Sequence, residues 1–423
     1  MRNKKQSQSL RSETPKGSNP SRINKRFGHA EGYQPWSHLT DEEREVFRKR
    51  SSESARAKQL ALDGKGPQPV HEINTPNLDP KKLMPQFPGA GLSSLSLFSG
   101  GGGLDLGFER AGFEHVGSYE IIEEAAETLR LERPEWPVFG GEAGDVRRVD
   151  WRSYRHEVDV VHGGPPCQPF SMAGRQGGRL DSRDMWPEFT RAVLDIEPRA
   201  FVAENVPALL QKKFSSYVDE VIRRPLESSY SIRQFLLRVS SFGVPQVRTR
   251  VFFVGFRDSG LSKRFTPPTA THSVDHFRNG SSDPTQRLLV LEDQSACSPE
   301  CMGAREALGL PDIGYDNLAP TIRCSWTGPR GTTSVLSSAS AKRTWERLEI
   351  WPNGVAADRE RARLFVANNG HFRMSVLDCA VLQGFPEDWR FRGPVYVALG
   401  QIGNAVPPPL GYHVARAVAQ ALG

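Results

Sequence analysis

Short apolar runs separated by helix-like stretches dominate the chain from residue 92 onward. Runs of this kind, rich in β-branched and aromatic residues and bounded by glycine or polar residues, are typical of strands. The predicted strands lie at residues 95–98, 116–119, 158–162, 199–203, 232–239 and 251–255. The predicted helices lie at residues 104–111, 185–196 and 209–227. This alternation predicts an α/β fold around a buried sheet, with functional loops at the carboxyl ends of its strands.

Two other regions lack this alternation. Residues 1–88 are rich in Ser, Lys, Arg, Asn and Pro, so we expect a basic N-terminal extension that is mostly disordered. One helix is predicted in it, at residues 40–62, where Thr40 can serve as the N-cap and acidic residues follow in the first turn. The extension is then either an arm on the DNA backbone, a regulatory contact or a solvated tail. Residues 258–370 contain more Ser, Thr, Pro and Gly, which predicts a separate, loop-rich domain.

Composition narrows the class of protein. Of the 423 residues, 37% are hydrophobic and 25% are charged, as in soluble globular proteins of two or three domains. The net charge of +6 is a weak indication of a polyanionic partner such as nucleic acid, and a solvated basic surface explains it equally well. No apolar run reaches the length of a membrane span. The cysteines are odd in number and widely spaced, and Cys297 and Cys301 have no second pair of ligands at zinc spacing. We therefore expect a cytoplasmic protein with no disulfide framework and no metal.

The strand predicted at residues 158–162 leads into a stiff loop with one thiol at its centre. Residues 163–171 read Gly-Gly-Pro-Pro-Cys-Gln-Pro-Phe-Ser, so prolines fix φ around Cys167 and two glycines give the backbone room to turn. A cysteine presented in this way is a candidate nucleophile. Taken alone, the loop is equally consistent with a small buried hydrophobic residue at this position.

A glycine turn follows the first predicted strand. Residues 99–103 read Ser-Gly-Gly-Gly-Gly between a strand and a helix, which is typical of nucleotide-type cofactor sites. Glu120, about twenty residues after the first glycine, stands where such folds place an acid on ribose hydroxyls. Asp145 follows Gly144 and is suited to accept a hydrogen bond from an adenine amine. A dinucleotide and S-adenosylmethionine both fit this pattern.

Further polar residues lie at predicted strand ends. Glu204 directly follows the strand at 199–203 and suits either proton chemistry or the cap of the next helix. Gln246, Arg248 and Arg250 alternate along the chain, which places them on one face of an extended segment. Because buried arginines require acceptors, a ligand or a carboxylate is expected opposite them.

Two loop segments complete the set of candidates. Residues 173–183 contain several glycines with basic residues between them, as in a mobile segment that closes over a ligand. Residues 321–326 and 330–333 mix basic, hydroxyl and aromatic groups, as either a surface that reads nucleic acid or an ordinary loop would.

Taken together, five stretches resemble the motifs of the cytosine-5 DNA methyltransferases of the bacterial restriction-modification type, in the order of that family. They are residues 98–103, the Pro-Cys loop at 163–171, Glu-Asn-Val at 204–206, Gln-x-Arg-x-Arg at 246–250, and the Gly-Asn-Ala-Val-Pro segment within 401–410. The chain departs from the family at two points. Leu377-Asp378 stands where the family usually has Arg-Glu, whose arginine packs the recognition domain, and Ile122 replaces a frequent acid.

The resemblance implies a fold: a Rossmann-like class I methyltransferase sheet with a second, smaller, loop-rich target-recognition domain. The catalytic domain would comprise residues 89–257 and 395–423. Residues 258–370 would form the recognition domain, and residues 371–394 a small hinge segment.

The resemblance also implies an activity: methyl transfer from S-adenosylmethionine to carbon 5 of a flipped-out cytosine, through a covalent adduct with Cys167. Glu204 would bind the ring nitrogen 3, and Arg250 with Arg248 would hold the carbonyl oxygen. The implied catalytic residues are Cys167, Glu204, Arg250 and Arg248. The implied cofactor-binding residues are Phe98, Gly100, Gly102, Gly103, Glu120, Asp145, Val146, Pro166, Asn404 and Val406. The implied DNA-binding residues are Gln168, Ser171, Arg323, Trp326, Arg330, Thr332 and Thr333.

The expected partner is double-stranded DNA, bound by a monomer whose function is linked to a cognate restriction endonuclease. A tRNA cytosine-5 methyltransferase of the same fold is one alternative, and the long segment between Phe256 and Phe372 favours a DNA-reading domain instead. A non-catalytic DNA-binding regulator is another, and the presence of Cys167, Glu204 and Arg250 favours an active enzyme.

Overall fold

The computed structural model describes residues 72–167, 170, 183–277, 298–323, 333–364 and 370–423, together with single positions between residues 45 and 65. The positions described between residues 45 and 60 are helical, in agreement with the helix predicted at residues 40–62. Among the described helices, none has the length and apolar character that a membrane crossing requires.

A seven-stranded sheet forms the centre of the described residues. Its strands are β1 (Ser93–Leu97), β2 (Glu114–Glu120), β3 (Val138–Gly140), β4 (Val160–Gly163), β5 (Ala200–Asn205), β6 (Ser231–Arg238) and β8 (Thr249–Phe256). Their order is β3-β2-β1-β4-β5-β8-β6, in which β8 is antiparallel to both neighbours and the other pairs are parallel. The direction of winding reverses between β1 and β4, and open α/β sheets bind ligands at such a point, outside the carboxyl ends of the strands.

Two small ladders lie outside this sheet. The short strand β7 (Gln246–Val247) pairs with β9 (Ala319–Pro320), and β10 (Ile350–Ala356) pairs with β11 (Phe372–Ser375). The ladder of β7 and β9 therefore joins segments that are far apart in the sequence.

The helices connect and cover the strands. They are α1 (Pro80–Leu83), α2 (Gly103–Arg110), α3 (Glu123–Glu132), α4 (Trp186–Ile196), α5 (Ser215–Tyr217), α6 (Arg224–Glu227), α7 (Ser259–Arg264), α8 (Ala304–Ala307), α9 (Ala339–Arg347), α10 (Arg359–Arg363), α11 (Val376–Leu382), α12 (Val395–Asn404) and α13 (Pro408–Leu422). The last helix approaches α2 so closely that a Cβ atom at Gly107 would come within 2.5 Å of the Tyr412 nitrogen. Only glycine fits at this helix crossing.

The core consists of two large apolar clusters. One contains side chains of α2 and α13 together with Val160 and Val202 of the sheet. The other contains side chains of α4 together with Val161 and Phe201, which alternate with the first pair along the same strands. The first cluster continues into Ala304, Trp345 and Met374, so the segments predicted as recognition domain and hinge share a core with the sheet. The domain boundaries at residues 258, 371 and 395 stay predictions.

Residues 72–88, the end of the extension that is predicted to be mostly disordered, are packed. Leu78 and Met84 are buried, and Asp79 caps α1 by accepting a hydrogen bond from the Lys81 nitrogen. Arg110, at the end of α2, donates its Nε to the Met84 carbonyl at 2.8 Å. The segment has few apolar residues, but these meet partners that the rest of the chain supplies.

The helix predicted at residues 209–227 is divided into short pieces. Two 3-10 turns, Pro207–Leu210 and Lys212–Phe214, precede α5, a π-helical segment (Val218–Arg223) and α6. Gln211 has an extended backbone between the 3-10 turns. Pro225 has no amide hydrogen to continue the i to i−4 ladder, which accounts for the irregularity before α6.

Candidate active site

The cysteine loop and Glu204 lie at neighbouring strand ends. Gly163, the last residue of β4, is in register with Leu97 of β1 and with Ala203 of β5. Cys167 follows β4, and Glu204 is the penultimate residue of β5. Both therefore lie at the carboxyl edge of the sheet, at its switch point. Both positions agree with the prediction that chemistry is placed at strand ends.

Asn205 joins the two strand ends. Its side-chain amide is buried and donates to the Pro165 carbonyl at 3.0 Å, and its Oδ1 accepts from the Val206 nitrogen at 2.9 Å. A Cβ atom at Gly164 would lie 3.1 Å from Glu204 Oε2, so the loop backbone passes directly beside the carboxylate. The role of Asn205 as a brace was missed from the sequence, although the Glu-Asn-Val motif contained the signal.

Glu204 forms a buried ion pair with Arg250. Arg250 Nε lies 2.7 Å from Glu204 Oε1, and the two side chains are 13% and 9% exposed. Arg250 also donates Nη1 to the Thr249 carbonyl at 2.8 Å. The carboxylate expected opposite Arg250 is therefore present, and it is Glu204.

Burial dominates the electrostatics of this site. It raises the pKa of the Glu204 carboxyl, against the opposing effects of Arg250 and Arg248. Burial likewise raises the pKa of the Cys167 thiol, while the Arg250 charge lowers it and the Glu204 charge raises it. Burial thus favours the thiol over the thiolate at Cys167 and the protonated over the ionised carboxyl at Glu204.

Arg248 has backbone carbonyls among its partners. Its Nη2 donates to the Gly403 carbonyl at 2.8 Å and to the Ala405 carbonyl at 3.0 Å. Gln246 donates to the Leu382 carbonyl, which lies in α11. The polar stripe is divided because β7 ends before Arg248 and β8 begins after it. In this structure Arg248 holds the end of α12 in place through the Gly403 and Ala405 carbonyls.

The glycine turn and Glu120 fit the sugar of a nucleoside. Gly100 and Gly102 adopt left-handed backbone conformations with φ of 55° and 82°, and Phe98 does so with φ of 58°. Glu120 Oε2 accepts from the Gly100 nitrogen at 2.7 Å, and Oε1 accepts from the Ile122 nitrogen at 2.8 Å. Each carboxylate oxygen keeps acceptor capacity for a hydroxyl donor. Burial raises the pKa of Glu120 to about 7, a cost that additional donors would reduce.

The other predicted cofactor residues lie in several different elements. Gly103 begins α2, where a Cβ atom would lie 2.1 Å from the Val406 carbonyl, so the C-terminal motif and the glycine turn are in contact. Asn404 is the last residue of α12, and Val146 is buried in the second apolar cluster. Asp145 binds Arg147 through both carboxylate oxygens, at 2.8 and 2.7 Å, and an adenine amine would have to share this acceptor. Pro166 lies in the cysteine loop directly before Cys167.

Most of the predicted base-reading residues lie outside the described residues. These are Gln168, Ser171, Trp326, Arg330 and Thr332, and residues 173–182 of the predicted closing segment lie outside as well. Arg323 and Thr333 are described, and both are partly buried. The Arg323 nitrogen donates to the Val335 carbonyl, and the Thr333 carbonyl accepts from the Val355 nitrogen. Their part in reading bases stays a prediction.

Comparison with known proteins agrees with this arrangement. Residues 92–420 match the family described as C-5 cytosine-specific DNA methylase. The Type II methyltransferase M.NgoMIV of Neisseria gonorrhoeae is 34% identical over 331 residues, which cover 78% of this chain and 98% of that protein. The Type II methyltransferase M.Eco47II of Escherichia coli is 31% identical over 78% of this chain and 79% of its own length.

A solved structure supports the fold alone. The methyltransferase EhMeth of Entamoeba histolytica aligns with a TM-score of 0.51 at 15% identity, over 78% of this chain and 99% of that one. The match over residues 92–420 includes all five motif stretches, with Cys167, Glu204 and Arg250 among them. The chain therefore belongs to the family of C-5 cytosine-specific DNA methylases, and it is a DNA cytosine-5 methyltransferase.

Proposed function

We propose that the protein methylates carbon 5 of one cytosine within a specific duplex sequence, through a covalent adduct between Cys167 and carbon 6. The observation that supports this most strongly is the buried Glu204–Arg250 pair beside the cysteine loop, at adjacent ends of β4 and β5. A nucleophile, a proton-carrying acid and a fixed cation at one sheet edge are the groups that such a reaction requires.

The reaction begins with loss of the Cys167 proton and attack of the thiolate on carbon 6. The ring electrons move toward nitrogen 3, which takes a proton from the Glu204 carboxyl group, and carbon 5 becomes nucleophilic like an enamine. Burial raises the pKa of the Glu204 carboxyl and so favours its protonated form, which suits this donation. When carbon 5 takes the methyl group, S-adenosylhomocysteine is the leaving group. Carbon 5 then loses its proton to a base, nitrogen 3 returns its proton to the Glu204 carboxylate, and the thiolate is expelled, which restores the ring.

Arg250 serves two purposes in this scheme. Its Nε fixes Glu204, and a guanidinium group has more N–H donors than its bonds to Glu204 and Thr249 use. A remaining donor holds the cytosine carbonyl oxygen as negative charge develops there. Arg248 contributes by holding the Gly403 and Ala405 carbonyls and by its positive charge near Cys167.

The methyl donor is S-adenosylmethionine, whose sulfonium supplies an electrophilic methyl group. Glu120 would hold the ribose hydroxyls, and Phe98 would lie against the adenine, whose edge Asp145 and Val146 would border. The remaining residues proposed at this site are Gly100, Gly102, Gly103, Pro166, Asn404 and Val406.

The target base must leave the stack before Cys167 can reach carbon 6, at a cost of a few kcal/mol. Residues 258–370 would read the flanking bases in the major groove, and basic residues would bind phosphates with the usual salt dependence. Methylation at one sequence would protect host DNA from a cognate restriction endonuclease, the role expected of a Type II methyltransferase.

The test uses the full chain and S-adenosylmethionine carrying a labelled methyl group, with unmethylated duplex DNA and tRNA offered in parallel. We expect label in duplex DNA only. Bisulfite sequencing of the product should map the methyl group to one cytosine within a short recognition sequence, at each place where that sequence occurs. Label in tRNA, or DNA binding without any transfer, would contradict the proposal.

A further inference from the structure

Tyr217 contacts both sides of the segment that follows the cysteine loop. Its hydroxyl donates to the Asp184 carboxylate, with distances of 2.6 and 2.7 Å to the two oxygens. Its ring packs on Phe170, with ring centroids 4.8 Å apart. Phe170 lies directly before residues 171–182 and Asp184 lies just after them, so one side chain holds both ends of this part of the chain.

Phe170 transmits this contact to the cysteine. Its nitrogen donates to the Cys167 carbonyl at 3.0 Å, which closes a turn around the nucleophile. The Phe170 side chain is fully buried, and the Phe214 ring packs against it edge-on with centroids 5.3 Å apart. Displacement of the Phe170 ring would therefore move the backbone that carries the Cys167 thiol.

Asp184 is itself tied to regular structure. Its Oδ1 accepts from the Trp186 nitrogen at 3.2 Å, at the start of α4. Tyr217 ends α5 and directly precedes the π-helical segment Val218–Arg223. Single π turns are rare and occur frequently at functional sites, because they redirect a side chain that a regular helix would place elsewhere.

We propose that Tyr217 is a positioning residue for the nucleophile: through Phe170 it fixes the turn that begins at Cys167, through Asp184 it fixes the far end of the segment that follows, and it so aims the thiol at carbon 6. This inference rests on the proposed function, since it concerns the attack of Cys167. A hydrogen bond from a phenol to a carboxylate is charge-assisted and geometrically narrow, so it suits a contact that fixes position. Small displacements of a reacting atom have large effects on rate, and loss of the hydroxyl should therefore slow attack.

The test substitutes Tyr217→Phe, which keeps the ring on Phe170 and removes the bond to Asp184. Tyr230→Phe is the matched control, because Tyr230 is buried in the same apolar cluster and its hydroxyl donates to the Pro198 carbonyl at 2.9 Å. The measured quantity is the single-turnover rate of covalent complex formation with a duplex that carries 5-fluorocytosine at the mapped site. Fluorine at carbon 5 cannot leave as a cation, so the complex accumulates.

We expect Tyr217→Phe to slow complex formation by about tenfold, with dissociation constants for DNA and cofactor near those of the wild type. Tyr230→Phe should retain the wild-type rate even if its thermal stability falls as much as that of Tyr217→Phe. Asp184→Asn, which keeps an acceptor, should be closer to wild type than Asp184→Ala.

Two outcomes would overturn the inference. One is a wild-type rate in Tyr217→Phe, and the other is a decrease only in the amplitude of the reaction, matched by Tyr230→Phe, which would indicate a loss of folded protein. If the wild type itself forms no complex, the proposed function fails as well, and the two failures are thereby distinguishable.

Discussion

The carboxyl edge of the sheet and the junction around Asp378 are built in opposite ways. At the sheet edge, Cys167 and Glu204 each lie within a few residues of the strand that positions them. At the junction, the important partners are distant in sequence: Asn74 donates to the Leu308 carbonyl and to Asp378 Oδ1, both at 3.0 Å. The difference shows that Cys167 and Glu204 are positioned by the strands next to them in the sequence, whereas the segments joined at Asp378 are held by contacts between distant residues.

Asp378 is the centre of the junction. It is fully buried in α11 and accepts from the Ser375 nitrogen and hydroxyl at 2.7 Å each, in a capping box. It also accepts from Arg359 Nε at 2.9 Å. The family usually has an arginine where this chain has Leu377, and here Arg359, 19 residues before Asp378, supplies a guanidinium from α10. The departure noted in the sequence thus has a structural counterpart.

The largest effect is expected at the sheet edge. Glu204→Gln keeps the side-chain volume but cannot give a proton to nitrogen 3, so methyl transfer should fall by about 10²–10³-fold. Stability and cofactor affinity should change little, and both can be measured on the same preparation. Glu227→Gln, which removes an exposed acid near Arg223, is the control and should behave as wild type. An active Glu204→Gln variant would remove the proton donor from the scheme.

A complementary effect is expected at the junction. Asp378→Ala removes one acceptor from Asn74 and the buried carboxylate that Arg359 Nε binds, and should lower the apparent free energy of unfolding by about 3–5 kcal/mol. The methylation rate per folded molecule should be retained at low temperature. Asp358→Ala, which removes the N-cap of α10, should lower the free energy of unfolding by about 1 kcal/mol. Equal losses in the two variants would show that Asp378 is not central.

The pH dependence should also be confined to the sheet edge. Burial raises the pKa of the Cys167 thiol and that of the Glu204 carboxyl. In the wild type, the gain of thiolate with rising pH is therefore offset by the loss of the Glu204 proton. We expect a nearly constant rate of complex formation between the pKa of Glu204 and the pKa of Cys167 when both groups are required in these forms. In Glu204→Gln only the thiolate matters, and the rate should rise about tenfold per pH unit below the thiol pKa. The same profile in both proteins would argue against coupled roles.

The smallest effect is expected for the segment at residues 72–88. Asn74→Ala removes two buried hydrogen bonds but leaves Asp378 with its other donors. The free energy of unfolding should therefore fall by about 1–2 kcal/mol. Asn77→Ala, which removes an exposed bond to the Glu306 carbonyl, is the matched control and should have less effect. Urea unfolding of the two variants checks this, and no difference between them would mean that the segment adds little to the junction.

Much of the sheet edge could be predicted from the sequence because its signals are short-range. Strand ends, the glycine turn and the acid opposite Arg250 all follow from local pattern and from the need of a buried cation for a carboxylate. The packing of residues 72–88, the carbonyl partners of Arg248 and the position of Tyr217 could not be predicted, since each depends on contacts between distant segments. The helical stretch expected at residues 209–227 is present but irregular for a local reason, the break at Gln211 and the π-helical segment before Pro225.

The attachment point of DNA on the protein tests the central claim most directly. A duplex with 5-fluorocytosine at the mapped site, trapped with the full chain and S-adenosylmethionine, can be digested with protease and nuclease and examined by mass spectrometry. The account predicts a nucleotide bound to Cys167, and no trapped complex in Cys167→Ala. A nucleotide on another residue, or methylation by Cys167→Ala at near the wild-type rate, would contradict it.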